Sequence, residues 1–166
     1  ALGVSFLSTL NADDHIQISA MEGLQCNFQD GKDMDDVMKV ISEWNEYGDE
    51  NFSEPYNAWI FTPVYRTNSD FDFDFMFLGF TQSMQAMGKV QDDWQAGGSR
   101  IEEKWARATD CAGQSLSINV EVRSPSYSWD EDGVTYASIR SCTFKEGKST
   151  DDLASNDKVW NEYLDQ

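Results

Sequence analysis

The feature that most constrains the fold is a pair of segments that are apolar on both faces of an extended chain. In residues 56–66, aromatic and β-branched side chains occupy both alternating sets of positions, and residues 75–80 repeat the pattern within a second extended segment, 71–81. Strands buried on both sides must lie between two layers of structure. Pro63 cannot donate a ladder hydrogen bond, so the first strand is expected at a sheet edge or at a bulge.

The flanking sequence predicts a strand–helix–strand–strand–helix–strand order, because helical spacing alternates with extended segments. Gly48 and the Gly97-Gly98 pair are expected to end helices. The predicted elements are a strand at 24–28 after a weaker extended run from Ile16, a helix at 34–47, strands at 56–66 and 71–81 joined by a turn at 67–70, helical stretches at 84–94 and 101–108, and a half-buried strand at 116–123.

This order is that of a ferredoxin-like unit, in which helices cover one face of an antiparallel sheet. Since the other face is also apolar, the sequence resembles the dimeric α+β-barrel proteins, in which two such sheets pack face to face. Antibiotic-biosynthesis-monooxygenase-like and NIPSNAP-like domains are members. The resemblance covers about residues 16–124. It implies an α+β fold of the ferredoxin-like type and a homodimer formed through the sheet face.

The chain also repeats part of its own sequence, because residues 26–47 align with residues 142–163 without a gap. Ten of the 22 aligned positions are identical, where roughly one or two matches are expected by chance. The expected organisation is a signal-peptide remnant or tail at 1–14, a first ferredoxin-like repeat at 15–124, a linker at 125–133, and the truncated start of a second repeat at 134–166. That second copy is expected to begin with a strand at 134–144 and a helix at 151–164.

Composition narrows the possible partners and the compartment. The net charge of −18 disfavours binding to nucleic acid or to an anionic membrane surface. The short apolar run at 1–10, followed by small residues up to Ala12, is similar to the end of a secretory signal peptide. An ordinary N-terminal strand or helix is the alternative. The signal-peptide interpretation predicts a periplasmic or extracellular protein.

Three cysteines fit an oxidising compartment only in part, because one of them has no partner within this chain. Cys26 and Cys142 occupy equivalent positions, so each copy should have its own partner. Cys111 is the candidate partner of Cys26 within this chain. We therefore expect a Cys26–Cys111 disulfide, and the odd number of cysteines is explained by the truncated second repeat rather than by a reactive thiol.

The aromatic content of 13% motivates a ligand cleft between helix and sheet. Apolar pockets with few polar groups bind small molecules, and ordinary core packing is the alternative use of the same rings. The candidate lining residues are Trp44, Trp59, Phe61, Tyr65, Phe77 and Trp94.

No metal site or cofactor is predicted. His15 is the single histidine, so neither a histidine-based metal site nor a base for a Ser or Cys nucleophile is evident. Asp70, Asp72 and Asp74 have the spacing of the start of a calcium loop. However, such a loop needs Gly at its sixth position and Glu at its twelfth, where this chain has Phe75 and Thr81.

Three functions remain open at this stage. The first, and the leading one, is a non-enzymatic secreted or periplasmic domain that acts through an aromatic pocket for a small apolar molecule or through a dimer surface. The second is a cofactor-independent oxygenase or isomerase acting on a small apolar compound. For this enzyme, the nearest candidates for polar groups that converge in a pocket are Glu46, Asn57, Tyr65 and Arg66. The third is an interaction module. A pocket with two or three inward polar side chains would favour the enzyme. A closed apolar cavity would favour a carrier, and a fully packed core would favour the interaction module.

Overall fold

The computed structural model describes residues 17–65, 72–123 and 136–165, without the side chains of Gln17 and Ala154. Its contacts group residues 18–120 into one compact unit, and residues 121–123 and 136–165 belong to a second. The predicted tail at 1–14, the turn at 67–70 and the linker at 125–133 lie outside the described residues.

The first unit contains a four-stranded sheet with the strand order β2-β3-β1-β4. Its α+β, ferredoxin-like fold confirms the predicted class, and β2 lies at a sheet edge, as Pro63 indicated. The elements of the chain are β1 (Gln17–Phe28), α1 (Met34–Asn51), β2 (Asn57–Phe61), β3 (Phe75–Thr81), α2 (Met84–Gly97), α3 (Ser99–Ala108), β4 (Thr109–Glu121) and α4 (Thr150–Leu164).

One sheet face forms the core of this unit with the helices. In the antiparallel β1–β3 pair Cys26 lies opposite Phe75 and Leu24 lies opposite Phe77, and cross-strand partners share a face. Cys26 and Phe75 are fully buried together with Val37 of α1. This face therefore receives the apolar stripe of the helices.

The alternating positions give the sheet a second apolar face. Trp59 pairs with Leu78 and Phe61 pairs with Met76, one position out of step with the core residues. Leu78 is buried because it fills the space beside Gly23. A Cβ added to Gly23 would lie 3.1 Å from a methyl group of Leu78. The prediction that the central strand is apolar on both faces is confirmed, and the packing of a second sheet on this face stays a prediction.

Helix α1 extends one turn beyond its predicted end. Gly48 was expected to terminate it, but the helix continues to Asn51 and is capped by Phe52. The Phe52 ring lies so close to Gly48 that an added Cβ would be 3.0 Å from it. Gly48 therefore makes room for the Phe52 ring against the last turn of the helix. The prediction that the helix stops at Gly48 was wrong.

Strand β4 begins earlier than predicted and contains a change of alternation. Cys111 points to the core face, whereas Ser115 lies on the opposite face, where its hydroxyl donates to the carbonyl of Gly23. Gly113 lies between them with φ of 70°, a left-handed conformation typical of a β-bulge. The shift brings Gln114 to the core face.

The apolar half of β4 is more exposed than the sequence suggested. Leu116, Ile118 and Val120 were expected to be half-buried, but they are 59%, 64% and 46% exposed. The helices pack against the part of the sheet that contains β3, and β3 has only seven residues. The longer β4 therefore extends beyond the region of the sheet that they cover.

The second unit contains one helix and irregular chain. Residues 136–145, which cover most of the predicted strand at 134–144, have no regular secondary structure, because they form no ladder with another described strand. The predicted helix is present as α4, and Ser149 forms a capping box with Asp152 at its start. At its other end Asn161 donates to the carbonyl of Val122 over 2.7 Å. None of the helices in the described residues combines the length and apolar character needed to cross a bilayer.

A disulfide joins Cys26 of β1 to Cys111 of β4 across 85 residues of sequence. Closing a loop of that length restricts the unfolded chain, an effect of about 4 kcal/mol in chain-entropy estimates. Cys142 is a free, exposed cysteine.

We therefore expect Cys111→Ala to lower the free energy of unfolding by about 4 kcal/mol, measured by urea unfolding without reductant. Cys142→Ala is the matched control and should leave that free energy unchanged. Equal stabilities of the two variants would contradict the assignment of a stabilising cross-link to Cys26 and Cys111.

Candidate functional site

A cavity of about 380 Å³ lies between the helices and the sheet of the 18–120 unit. Aromatic rings form its walls, and Trp44 of α1 and Phe77 of β3 meet edge to face at 5.9 Å and 81°. Phe77 and Trp105 of α3 meet at 6.0 Å and 74°. Edge-to-face contacts of this kind are a preferred packing of aromatic rings. The lining residues include Trp44, Phe52, Tyr56, Phe77, Trp94, Trp105, Leu24, Val40, Ile41, Val90 and Ile101.

One carboxylate lies in this apolar surrounding. Glu22 of β1 is only 7% exposed, and its oxygens accept hydrogen bonds from the Tyr56 hydroxyl, from Gln91 Nε2 at 3.0 Å and from Gln114 Nε2 at 3.3 Å. Burial of a carboxylate without such donors would cost several kcal/mol. The three donors are uncharged, so Glu22 has hydrogen-bond partners but no cationic partner among them.

Distant parts of the chain contribute to this polar cluster. Glu22 lies 34 residues from Tyr56, 69 from Gln91 and 92 from Gln114. The four side chains belong to β1, the segment before β2, α2 and β4. Only the folded sheet and helices bring them together.

Gly79 creates the space through which Tyr56 reaches Glu22. Glu22 and Gly79 are opposite each other in the β1–β3 ladder, and a Cβ on Gly79 would lie 1.6 Å from the Tyr56 hydroxyl. The side chain missing at Gly79 is therefore replaced by the end of the Tyr56 ring. This packing fixes a hydroxyl beside the buried carboxylate.

The electrostatics of the pair keep Tyr56 protonated. Burial of the ring disfavours the phenolate, and the negative charge of Glu22 together with the hydrogen bond to it acts in the same direction. The pKa of Tyr56 is therefore raised well above its ordinary value of 10. Tyr56 acts as a donor to Glu22 and not as a base.

A second set of hydrogen bonds holds the chain that leads into Tyr56. The Asp93 carboxylate accepts from the backbone N–H and the hydroxyl of Ser53, both at 2.7 Å, and these bonds lower the pKa of Asp93. The Asp93 carbonyl accepts from the Tyr47 hydroxyl at 2.6 Å. Helix α2 thereby anchors the end of α1 and the segment that positions Phe52 and Tyr56.

The structure divides the six predicted lining residues into two groups. Trp44, Phe77 and Trp94 line the cavity. Trp59 and Phe61 do not, because their pairing with Leu78 and Met76 places them on the other sheet face. Tyr65 follows the end of β2 and is exposed.

The polar residues of the site were not predicted from the sequence. Of the four candidates named for an enzyme, Glu46, Asn57 and Tyr65 are exposed and absent from the cavity lining, and Arg66 lies outside the described residues. A usable signal was present at Glu22, which alternates with Ala20, Leu24 and Cys26 on the inward face of β1. The short strand predicted at 24–28 left Glu22 outside it.

One aspartate of the calcium-like spacing, Asp74, has a structural use. Asp74 accepts from the backbone N–H of Phe28 at 2.9 Å, and its own N–H donates to the carbonyl of Cys26. Asp70 and His15 lie outside the described residues. Within the described chain, no group of three or more His, Cys, Asp or Glu side chains could hold a metal ion.

No protein-family model matches the sequence, and no curated protein matches it at a significant level. Several solved structures are similar in fold. One is the crystal structure of a proposed chlorite dismutase, with 16% identity and a TM-score of 0.38. The alignment covers 61% of this chain and 43% of that one, so the chain spans less than half of that protein.

Two further structures are similar over most of their own length. A dimeric ferredoxin-like protein of unknown function from Thermobifida fusca is 13% identical, with a TM-score of 0.41, and the alignment covers 61% of this chain and 90% of that one. A hypothetical protein from Arabidopsis thaliana is 13% identical, with a TM-score of 0.39 and coverages of 66% and 91%. Nothing about chemistry follows from these likenesses.

The contact between Tyr56 and Glu22 predicts a particular pH dependence. Below pH 10 Tyr56 is protonated in both the folded and the unfolded chain. Above pH 10 the unfolded chain releases this proton first, so the free energy of unfolding should fall by about 1.4 kcal/mol per pH unit through this group. Tyr56→Phe should lack that part of the slope, and at neutral pH it should be about 1–3 kcal/mol less stable because Glu22 loses a donor.

Urea unfolding between pH 8 and pH 11 measures both effects. Tyr65→Phe is the control, because Tyr65 is exposed and the substitution should leave stability at neutral pH unchanged. An identical dependence on pH above 10 for the two variants would contradict the raised pKa of Tyr56.

Proposed function

We propose that the 18–120 unit binds a small, largely apolar molecule in the cavity between its helices and its sheet. The observation that carries this proposal is a space of about 380 Å³ walled by aromatic rings, with one buried carboxylate and the amides of Gln91, Gln95 and Gln114 lining it. Ligand sites in proteins are concave and mostly apolar, occupy about 300–1,000 Å³, and orient their ligands with few polar groups. The cavity fits that description in size and in composition.

The polar cluster gives the proposed site a means of orientation. Gln91 and Gln114 each reach Glu22 through one amide N–H, and an amide has a further donor and an acceptor oxygen. A ligand with one polar end can therefore be oriented toward Glu22 while its apolar body contacts the rings. The site then selects for the position of a polar group as well as for size.

A second candidate is an isomerase that needs no cofactor and acts on a small apolar compound. The inward-facing Glu22, Gln91 and Gln114 favour it, because a desolvated carboxylate beside a bound substrate can accept and return a proton. Tyr56 would keep Glu22 in place in such a reaction. The two candidates differ in one observable, which is whether the ligand recovered from the protein is chemically unchanged.

We further propose that the protein works outside the cytoplasm as a homodimer. The Cys26–Cys111 disulfide supports an oxidising compartment, periplasmic or extracellular. The apolar second sheet face, with Trp59, Phe61 and Met76, supports pairing with the same face of a second copy. Residues that line the cavity lie on the other face, so pairing would leave the ligand site intact.

The ligand proposal is tested by filling the cavity. Ile101→Trp places a larger side chain at a lining position of α3 and should abolish or strongly reduce binding of a neutral fluorescent probe such as 1-aminoanthracene. Glu103→Trp is the matched control, because Glu103 is exposed on the same helix, and it should bind the probe like the unsubstituted protein. Equal probe binding by the two folded variants would contradict a site in this cavity.

The dimer proposal is tested by sedimentation equilibrium. Trp59→Lys introduces a charge on the second sheet face and should convert the dimer to a monomer, because burying an unpaired charge at the interface costs several kcal/mol. Trp160→Lys makes the same change on α4 and should leave the dimer intact. A monomeric unsubstituted protein, or a dimer that survives Trp59→Lys, would contradict pairing through this face.

A further inference from the structure

We infer that the molecule accepted by the cavity is an organic cation, an ammonium group carried on a small apolar body. This inference rests on the proposed function, since it names the class of ligand for the same site. Three observations support it: the charges of the lining residues, the partners of Glu22 and the arrangement of the aromatic rings.

The charges at the cavity are all negative. Its described lining residues include two carboxylates, those of Glu22 and the exposed Glu102, and no Lys, Arg or His. The chain as a whole carries a net charge of −18. A potential of this sign concentrates cations near the surface and opposes the entry of anions. An anionic ligand would meet no compensating charge in the cavity.

A positively charged ligand would give the Glu22 carboxylate an opposite charge, which its present hydrogen-bond partners do not supply. Tyr56, Gln91 and Gln114 satisfy its oxygens with uncharged donors. A buried carboxylate is stabilised most strongly by an opposite charge at short range. An ammonium group seated beside Glu22 would supply that charge and would be held there by it.

The rings provide the second half of a cation site. Trp44, Trp94 and Trp105 line the same cavity as Tyr56 and Phe77, and neighbouring rings stand at 63° to 81° to each other. A cation near the face of an aromatic ring is attracted by its quadrupole, most strongly by tryptophan. Roughly perpendicular rings that line the same cavity as a buried carboxylate match the recognition of alkylammonium groups.

The same arrangement does not suit a metal ion. A hard divalent cation needs about six oxygen ligands, and in the described part of the chain no cluster of three candidate side chains exists. Glu22 and Glu102 are the carboxylates among its described lining residues, and most of the other lining side chains are aromatic or aliphatic. The site therefore distinguishes a large, weakly hydrated cation from a small, strongly hydrated one.

The direct experiment compares phenyltrimethylammonium with tert-butylbenzene, which have the same shape and differ in charge. Binding is followed by tryptophan fluorescence at constant ionic strength. We expect the unsubstituted protein to bind the cation about tenfold or more tightly than the neutral compound. The comparison requires no variant, so it does not depend on how a substitution affects folding.

Two substitutions of equal charge assign the preference to the cavity. Glu22→Gln should weaken binding of the cation about tenfold or more and leave binding of tert-butylbenzene nearly unchanged. Glu50→Gln removes the same charge from an exposed position on α1 and should change neither affinity. Circular dichroism reports whether each variant folds.

The outcomes separate this inference from the function on which it rests. Equal or tighter binding of tert-butylbenzene would overturn the inference and leave a ligand site for neutral molecules. A preference for the cation that Glu50→Gln reduces as much as Glu22→Gln would also overturn it, because the preference would then come from surface charge alone. Binding of neither compound would overturn the inference, and with failure of 1-aminoanthracene to bind it would overturn the proposed function as well.

Discussion

The structure depends on satisfying a carboxylate that is buried in an aromatic layer. Glu22 is on the inward face of β1, and its three donors come from three other elements. Each donor requires a particular local geometry. Tyr56 passes over Gly79, and Gln114 faces inward because the bulge at Gly113 shifts the alternation of β4. A buried carboxylate is costly in a core unless its hydrogen bonds are made, and a fully satisfied polar network fixes the arrangement of the elements that supply its donors.

The sheet separates two surfaces with different uses. Its helix-covered face contains the disulfide, the core and the cavity, whereas its other face presents Trp59, Phe61 and Met76. The disulfide joins β1 to β4 near one end of the core, and Glu22 is four residues away from Cys26 along β1. Cys111 itself lines the cavity, so this covalent link limits how far β1 and β4 can separate beside it. The same sheet can therefore support a ligand site and an assembly surface independently.

Periodicity predicted most of the fold, because most elements follow from their own sequence. The repeated turn illustrates this: Gly31 and Gly147 both have φ near 73°, and Lys32–Asp36 and Lys148–Asp152 form equivalent ion pairs. The two repeated segments differ, however, in how deeply their equivalent side chains are buried. Trp160 and Tyr163 of α4 are exposed, whereas the equivalent Trp44 and Tyr47 are half-buried.

The site was only partly predictable, because its residues meet through long-range packing. Trp44, Phe77 and Trp94 followed from aromatic content and helical spacing. Trp59 and Phe61 were assigned to the same cleft because composition does not reveal strand register, and register decides which face a side chain occupies. The extension of α1 past Gly48 has a different, local origin, since Phe52 packs against the glycine four residues before it and its N–H donates to the Gly48 carbonyl.

A high-resolution crystal structure of the protein is the most direct test of the central claim, which is that Glu22 is buried with uncharged donors beside an open aromatic cavity. The account requires the Glu22 carboxylate within hydrogen-bonding distance of the Tyr56 hydroxyl and both amides, with unfilled or ligand-filled space between Trp44 and Trp105. A Glu22 side chain turned to solvent, with those rings closed against each other, would contradict it.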